Sequence, residues 1–279
     1  MNAAAEPFGS RLRRAMDTRG PLCVGIDPHA SLLTGWGLRD DLDGLERFSR
    51  TVVEALGDRV AVLKPQSAFF ERFGSRGTAV LERTVADARA AGALVLMDAK
   101  RGDIGTTMAA YAATYLDPGS PLFSDAVTLS PFLGFGSLRP ALEAARASGS
   151  GVFVLAMTSN PEGAEVQLAV RADGRTVAGT VLGHLRAENA AAAPMGSCGA
   201  VVGATLGETG EDLRINGPLL APGIGAQGAT VTDLPRLFGG ALHQVVPSVS
   251  RGVLRHGPSA TALRDAADRE RELLAEALN

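Results

Sequence analysis

Four charged side chains within six residues give the chain its clearest candidate for chemistry. The segment DAKRGD, from Asp98 to Asp103, follows directly on the apolar run Ala93–Met97. Side chains of an extended segment alternate between its two faces, so Asp98 and Lys100 present opposite charges on the same side. Gly102 then frees the backbone to turn before the next carboxylate, Asp103. Charged groups at the carboxyl end of a buried strand are typical of the catalytic sites of α/β barrels.

Polar side chains also follow several of the other apolar runs. Asp27 comes directly after the first run and Lys64 ends the second, which adds a carboxylate and an ammonium to neighbouring strand ends. The fifth run is followed by Thr158 and Ser159, whose hydroxyl groups can hydrogen-bond a neutral ligand. A single Asp or Lys at a strand end is usually a solvated turn residue. Charges at three successive strand ends, with polar groups at three later ones, favour a common site instead.

Two glycine-containing segments late in the chain predict a phosphate site. The seventh apolar run leads into the segment Ala221–Gly228 (APGIGAQG), and the eighth leads into Ser250, Arg251 and Gly252. Glycines let backbone N–H groups approach an anion, and Arg251 adds a bidentate donor. In α/β barrels the loops after strands seven and eight commonly bind phosphate. We therefore expect a small phosphorylated substrate whose reacting part faces the charged strand ends.

Eight short apolar runs, separated by helical stretches, predict a (β/α)8 barrel. Each run is continuous, which indicates a strand buried on both faces, as in a parallel sheet covered by helices. An open, doubly wound sheet is the alternative; no linker divides the chain, so one domain over residues 1–279 is expected. The predicted strands are Leu22–Ile26, Val60–Leu63, Leu94–Met97, Ala126–Leu129, Val152–Met157, Ala200–Val202, Leu219–Ala221 and Gln244–Val249. The clearest predicted helices are Leu45–Leu56, Thr78–Ala91, Leu138–Ser148, Val177–Ala192 and Pro258–Leu278.

Composition argues against several classes of protein. A formal net charge of −3, without long blocks of one sign, argues against binding to nucleic acid or to a membrane surface. No apolar stretch approaches the ~18 residues of a membrane span, and residues 1–20 lack the apolar segment of a signal peptide. Cys23 and Cys198 lie in apolar or glycine-rich surroundings, where a disulfide is not expected. We expect a protein of the reducing cytoplasm.

Taken together, these motifs resemble the orotidine 5′-phosphate decarboxylase family. The segment DAKRGDIGTT, from Asp98 to Thr107, is similar to that family's signature, and most similar to its longer bacterial branch. Further segments that match in order and spacing are Val24–Pro28, Leu63–Pro65, Thr158–Gly163, Ala221–Gly228 and Ser250–Gly252. The resemblance implies a (β/α)8 barrel that is usually dimeric and needs neither a metal nor an organic cofactor.

The resemblance also implies a reaction, the decarboxylation of orotidine 5′-monophosphate (OMP) to uridine 5′-monophosphate (UMP), which ends de novo pyrimidine nucleotide synthesis. Loss of CO2 leaves a carbanion at carbon six of the pyrimidine, which the enzyme must stabilise and protonate. By this resemblance Lys100 donates the proton, Asp98 stands near the departing carboxylate, and Lys64 pairs with Asp98 and with the ribose. Asp103 and Thr107 would come from the partner subunit of a homodimer with shared sites.

Other residues would hold the nucleotide away from the reacting carbon. By the resemblance, Asp27 would hold ribose hydroxyls, and Thr158 or Ser159 would bind the pyrimidine edge. The residues expected towards the phosphate are Gln227 and Arg251, and Ser250 is a further residue expected to bind the substrate. The chain departs from the shorter branch of the family at Gly225, where that branch has an arginine. Arg251 and backbone N–H groups would therefore carry more of the phosphate contact.

The sequence leaves two alternatives open. A metal-dependent sugar-phosphate decarboxylase or aldolase of the same barrel suprafamily also resembles the Asp-x-Lys-x-x-Asp pattern. Those enzymes carry an acidic metal ligand at the end of strand two, where this chain has Lys64, and the scattered histidines lack metal-ligand spacing. The other alternative is a nucleotide-binding barrel without activity, and the intact set of Asp98, Lys100 and Asp103 argues against it.

Overall fold

A closed barrel of eight parallel strands organises the protein. The computed structural model describes residues 5–207, 209–225 and 228–278. Each strand pairs with the next along the chain, and the last pairs with the first through Cys23–Ser248 and Val24–Val249. The strands are β1 (Cys23–Ile26), β2 (Val62–Pro65), β3 (Leu94–Arg101), β4 (Ala126–Leu129), β5 (Gly151–Met157), β6 (Cys198–Val202), β7 (Leu219–Pro222) and β8 (Val245–Val249). The predicted barrel is thus confirmed, and the open sheet is wrong.

Helices surround the barrel, as the periodicity of the intervening segments predicts. The α-helices are α1 (Phe8–Arg19), α2 (Ala30–Gly35), α3 (Leu42–Leu56), α4 (Ala68–Glu71), α5 (Gly74–Ala90), α6 (Gly105–Leu116), α7 (Arg139–Ser148), α8 (Ala164–Gln167), α9 (Val177–Glu188), α10 (Leu234–Phe238), α11 (Arg251–Leu254) and α12 (Ala260–Leu278). Short 3-10 helices lie at Phe135–Leu138, Pro161–Gly163, Val231–Asp233 and Gly239–Gln244. Residues 203–207 and 209–218, which lie between β6 and β7, have irregular backbone and contain no helix. None of the helices among the described residues has the length and apolarity needed to cross a bilayer.

The amino end of the barrel is closed by α1. Phe8, Leu12 and Met16 are buried and belong to a hydrophobic cluster with inward-facing side chains of the strands. The ring of Phe8 packs edge-on against Phe153 of β5, with 6.0 Å between ring centroids. A larger cluster fills the space between the barrel and the outer helices. With one end plugged by α1, the polar strand ends meet at the opposite, carboxyl end.

Candidate active site

Two lysines flank one buried carboxylate at the carboxyl end of the barrel. The Nζ atom of Lys64, the penultimate residue of β2, lies 3.1 Å from Asp98 Oδ2. The Nζ atom of Lys100 lies 2.7 Å from the other oxygen, Asp98 Oδ1. Lys64 and Asp98 are 6% and 8% exposed, whereas the side chain of Lys100 is 44% exposed. The predicted cluster is therefore a compact array in which Lys64 and Asp98 are buried and the ammonium of Lys100 lies at the open side.

For both buried members of this array, Asp98 and Lys64, the opposite charges nearby affect the pKa more than burial does. Burial would raise the pKa of Asp98, but Lys64 and Lys100 hold that pKa well below its usual range. Burial would likewise lower the pKa of Lys64, but the carboxylates of Asp98 and Asp27 raise it above its ordinary value. Asp98 and Lys64 are therefore both ionised at neutral pH. Beneath them, burial raises the pKa of the Cys23 thiol to about 12, so this cysteine is a packing residue.

Both lysines of the whole sequence lie in this array. The chain has 27 basic residues other than histidine, and Lys64 and Lys100 are its only two lysines. Arginine supplies the surface cations elsewhere, as in the pairs of Arg139 and Arg146 with Glu188. A guanidinium does not give up a proton at physiological pH, whereas an ammonium is compact and can. The two residues of this array are thus the ones whose side chains can both pair with a carboxylate and transfer a proton as an amine.

Asp27 and Ser250 lie together beside the array. Across the described residues, Asp27 Oδ1 and Ser250 Oγ are buried and have no hydrogen-bond partner. A Cβ atom at Gly25 would lie 2.7 Å from Asp27 Oδ2 and 3.0 Å from the Cβ of Ser250, so a side chain at this position would crowd both residues. Buried polar atoms are normally paired, and those that are not are candidates for ligand contacts. The pair offers an acceptor and a hydroxyl group to a polyhydroxylated ligand.

A cavity of about 240 Å3 joins the polar strand ends into one site. The predicted residues that line it are Asp27, Lys64, Asp98, Lys100, Thr158, Ser250 and Arg251, together with Gln66 and Ser248. The backbone at Gly223 and Gly225 has positive φ, as expected for a loop that approaches an anion closely. Gln227 lies outside the described residues.

The two hydroxyl residues after β5 differ in their positions. Thr158 lines the cavity, and Gln167 Nε2 donates to its Oγ1 at 2.7 Å. Its Oγ1 in turn donates to Asn160 Oδ1 at 2.6 Å. Ser159 is exposed, and its backbone packs near Gly203 instead. Of the two residues, Thr158 lines the cavity and Ser159 does not.

Asp103 and Thr107 lie outside the cavity of their own chain. Asp103 Oδ1 accepts a hydrogen bond from the backbone N–H of Ile104, 2.8 Å away, and Thr107 is exposed on α6. Two exposed apolar side chains lie in the loops that follow β3 and β4: Ile104, next to Asp103, is 62% exposed and Phe132 is 78% exposed. Neither predicted residue reaches the array of its own chain, which is the arrangement expected if they serve a partner's site.

Sequence reasoning missed Thr128, which contacts two members of the array. Its Oγ1 donates to Asp98 Oδ1 at 2.9 Å and accepts from the backbone N–H of Lys100, also at 2.9 Å. Thr128 lies inside the apolar run Ala126–Leu129, where a threonine is readily taken as an ordinary strand former. Its polarity, next to a strand that ends in charges, was the only available signal.

The donor set does not suit a metal centre. Over residues 5–207, 209–225 and 228–278, no group of three or more His, Cys, Asp or Glu side chains could hold a metal ion. Lys64 stands at the end of β2, where the metal-dependent alternative needs an acidic ligand. Two ammonium groups around one carboxylate leave Asp98 little capacity for a cation.

The charge state of Asp98 predicts a specific response of stability to acid. Because the pKa of Asp98 is lower in the fold than the ~3.9 of an unfolded aspartate, its charge stabilises the protein fully above that pH. This contribution is lost as the pH falls below about 4. We expect the urea-unfolding free energy of the Asp98→Asn variant to fall less steeply between about pH 4 and pH 2 than that of the wild type.

The matched control for this measurement is Asp117→Asn, which removes an exposed carboxylate that accepts from the Gly119 N–H. That variant should keep the acid-side slope of the wild type. Equal slopes for Asp98→Asn and the wild type would contradict the ionised, doubly paired state of Asp98. At pH 7 we expect Asp98→Asn to be less stable by about 3 kcal/mol, because Lys64 would stay buried beside a neutral group.

A family model and the similar known proteins all indicate the same family. The model of the orotidine 5′-phosphate decarboxylase / HUMPS family matches residues 20–266. An orotidine 5′-phosphate decarboxylase of Streptomyces coelicolor is 76% identical over 265 residues, which cover 95% of each chain. One of Salinispora tropica is 65% identical over 265 residues, again covering 95% of each chain.

Solved structures agree with this comparison. A crystal structure from Streptomyces avermitilis, assigned as an orotidine 5′-phosphate decarboxylase, superposes with a TM-score of 0.97 at 73% identity. The superposition covers 99% of this chain and 97% of that one. The OMP decarboxylase of Leishmania donovani superposes with a TM-score of 0.76 at 28% identity, covering 98% and 99% of the two chains. The chain therefore belongs to the orotidine 5′-phosphate decarboxylase / HUMPS family.

Proposed function

We propose that this chain decarboxylates OMP to UMP at the cavity built around Asp98. The observation that carries the proposal is the buried array in which Lys64 and Lys100 hold one carboxylate between them, in a barrel of this family. Such an array fits a reaction that develops negative charge on carbon. It supplies an ammonium where that charge appears and keeps it oriented before the substrate arrives.

The nucleotide would be held at its ribose and phosphate, away from the reacting carbon. Asp27 and Ser250 offer buried, unpaired polar atoms to the ribose hydroxyls, within the described part of the chain. Arg251 and the backbone of the loop after β7 would bind the phosphate, with Gln227. Binding energy from these remote groups can then be used to hold the pyrimidine carboxylate against Asp98.

The proposed reaction depends on one like charge and one unlike charge: the Asp98 carboxylate beside the substrate carboxylate, and the Lys100 ammonium beside the developing carbanion. The substrate carboxylate would lie near the carboxylate of Asp98, which favours departure of CO2 as a neutral molecule. The C6–carboxyl bond breaks with its electron pair left on carbon six, and the Lys100 ammonium stabilises that pair and donates a proton to it. Opposite unit charges about 4 Å apart attract by roughly 4 kcal/mol at an effective dielectric of 20. Lys100 would become a neutral amine and recover its proton from solvent.

Each site would be completed by a second copy of the chain. Asp103 and Thr107 stand outside their own cavity, and the loops after β3 and β4 carry the exposed apolar side chains of Ile104 and Phe132. An exposed apolar area beside the mouth of a site is typical of an interface between subunits. We propose a cytoplasmic homodimer of one-domain chains, in which Asp103 of the partner extends the alternating charges to Lys100 and Thr107 of the partner meets the ribose.

The test is an absorbance assay of OMP with the purified full-length chain, in parallel with and without a strong chelator. We expect conversion of OMP to equimolar UMP at the same rate in both conditions. Loss of activity in chelator that returns with a divalent metal would instead support the metal-dependent alternative. Binding of UMP without any conversion of OMP would support a nucleotide-binding barrel and overturn the proposal.

A further inference from the structure

Lys100 has a backbone conformation that needs an external restraint. Its φ is +50°, and among the described residues other than glycine it shares a positive φ only with Asn216. A left-handed conformation is unfavourable for a residue with a long side chain, so it persists only where neighbours hold it. Because this residue carries the ammonium of the site, whatever holds its backbone also sets where that ammonium points.

Regular backbone hydrogen bonds between β3 and β4 do not hold Lys100 in this conformation. β3 pairs with β4 regularly at Leu96–Ala126 and Met97–Val127, and the next pair is Arg101–Leu129. Three residues of β3, from Asp98 to Lys100, therefore lie opposite Thr128 alone. An irregularity of this kind bulges the strand and redirects a side chain, at the cost of regular backbone hydrogen bonds.

Side chains of the neighbouring strand end replace those bonds. The backbone N–H of Lys100 donates to Thr128 Oγ1 at 2.9 Å, and Ser130 Oγ donates to the carbonyl oxygen of Lys100 at 3.1 Å. Both polar backbone groups of Lys100 are thus bound by hydroxyl groups. Thr128 is the buried member of the pair, at 1% exposure, whereas Ser130 lies at the rim.

The hydroxyl of Thr128 connects that backbone to the charge array. An amide N–H only donates and a carboxylate only accepts, so the single hydroxyl proton must point at Asp98. Thr128 Oγ1 lies 2.9 Å from Asp98 Oδ1, the same oxygen that receives the Lys100 ammonium at 2.7 Å. The ammonium of Lys100 therefore binds Asp98 Oδ1 directly, and the backbone N–H of Lys100 is linked to the same oxygen through the hydroxyl of Thr128. These three hydrogen bonds close a ring.

We propose that Thr128 is a positioning residue for the decarboxylation: its hydroxyl fixes the bulged backbone of Lys100 and the carboxylate of Asp98 relative to each other. The inference rests on the proposed function of the site. Thr128 does not line the cavity, so it acts through Lys100 and Asp98 and not on the nucleotide. Displacement of a reacting group by about 1 Å can cost about 10²-fold in rate, so losing this link should slow the chemical step without weakening binding.

The test compares variants that keep or lose the hydroxyl. Thr128→Val keeps the shape of the side chain, Thr128→Ala loses both the hydroxyl and the methyl, and Thr128→Ser keeps the hydroxyl. We expect kcat for OMP to fall about 10- to 100-fold in the Val and Ala variants and to stay within about threefold in the Ser variant. KM for OMP and the dissociation constant of UMP should stay within about threefold in all of them.

The control is Thr84→Val, which removes a buried hydroxyl that donates to the Val80 carbonyl within α5, far from the site. It should leave kcat unchanged. UMP titration counts folded sites, so each kcat is expressed per binding-competent site, and the Ala–Ser comparison stands even if the Val variant does not fold. Wild-type kcat in both the Val and Ala variants, or a loss in Thr128→Ser as large as in Thr128→Ala, would overturn the inference. If the wild type itself leaves OMP unchanged, the proposed function fails first.

Discussion

Replacing Lys100 with alanine is expected to lower kcat/KM for OMP by about 10⁴-fold, the largest effect of any single change considered. The variant loses the group that donates the proton, and general acid catalysis commonly contributes 10²–10⁴-fold. It also loses the charge nearest the developing carbanion, and removal of one such stabilising group commonly costs 10²–10³-fold. The two losses overlap because one ammonium supplies both, so they do not simply multiply.

A further variant separates the donation of a proton from the positive charge. Lys100→Arg keeps a cation but cannot deliver its proton at neutral pH, so we expect it to remain at least about 10²-fold below the wild type. Arg269→Ala, which removes an exposed cation from α12, is the control and should keep full activity. UMP titration and thermal unfolding check that the Lys100 variants are folded. A Lys100→Ala chain with activity within tenfold of the wild type would remove Lys100 from the mechanism.

Asp103→Asn is expected to have the second largest effect, a loss of about 10²-fold in kcat/KM. The reason is electrostatic: a partner's carboxylate beside Lys100 would keep that ammonium charged and oriented, and an amide cannot replace its charge. The effect should appear although Asp103 makes no contact with the array of its own chain; its side chain there accepts from the Ile104 N–H.

Asp117→Asn is the matched control, because Asp117, like Asp103, is an aspartate whose carboxylate accepts from a nearby backbone N–H. It should leave the rate unchanged. Sedimentation of both variants shows whether either change disturbs association. If Asp103→Asn keeps the full rate as an intact dimer, the partner's carboxylate has no part in the reaction.

Most of the fold could be predicted because the eight strands are continuous apolar runs. A strand buried on both faces leaves such a run whatever its neighbours are, so Leu94–Met97 and Val152–Met157 were located to within a few residues. The helix α1 was missed, although Phe8, Leu12 and Met16 recur at the spacing of one helical face. Its charged residues indicated only that the segment was not a signal peptide, and nothing in the sequence says that it plugs a barrel.

The charged part of the site could also be predicted, because parallel strands bring their carboxyl ends to one edge. Lys64, Asp98 and Lys100 therefore had to lie near one another once the barrel was correct. The contacts of Thr128 with Asp98 and Lys100 could not be foreseen, since they depend on a shift of register between β3 and β4. That Thr158 lines the cavity while Ser159 does not likewise depended on the direction in which the chain leaves β5.

The most direct test of the account is to mix two impaired chains, Lys100→Ala and Asp103→Asn, by co-expression or by unfolding and refolding together. In a mixed dimer, the site on the Asp103→Asn chain has its own Lys100 and receives an intact Asp103 from the Lys100→Ala partner. Half of the dimers are mixed at random pairing and each has one complete site, so about a quarter of the wild-type OMP decarboxylation should return. Activity that stays at the level of the separate variants would contradict a site shared between two chains.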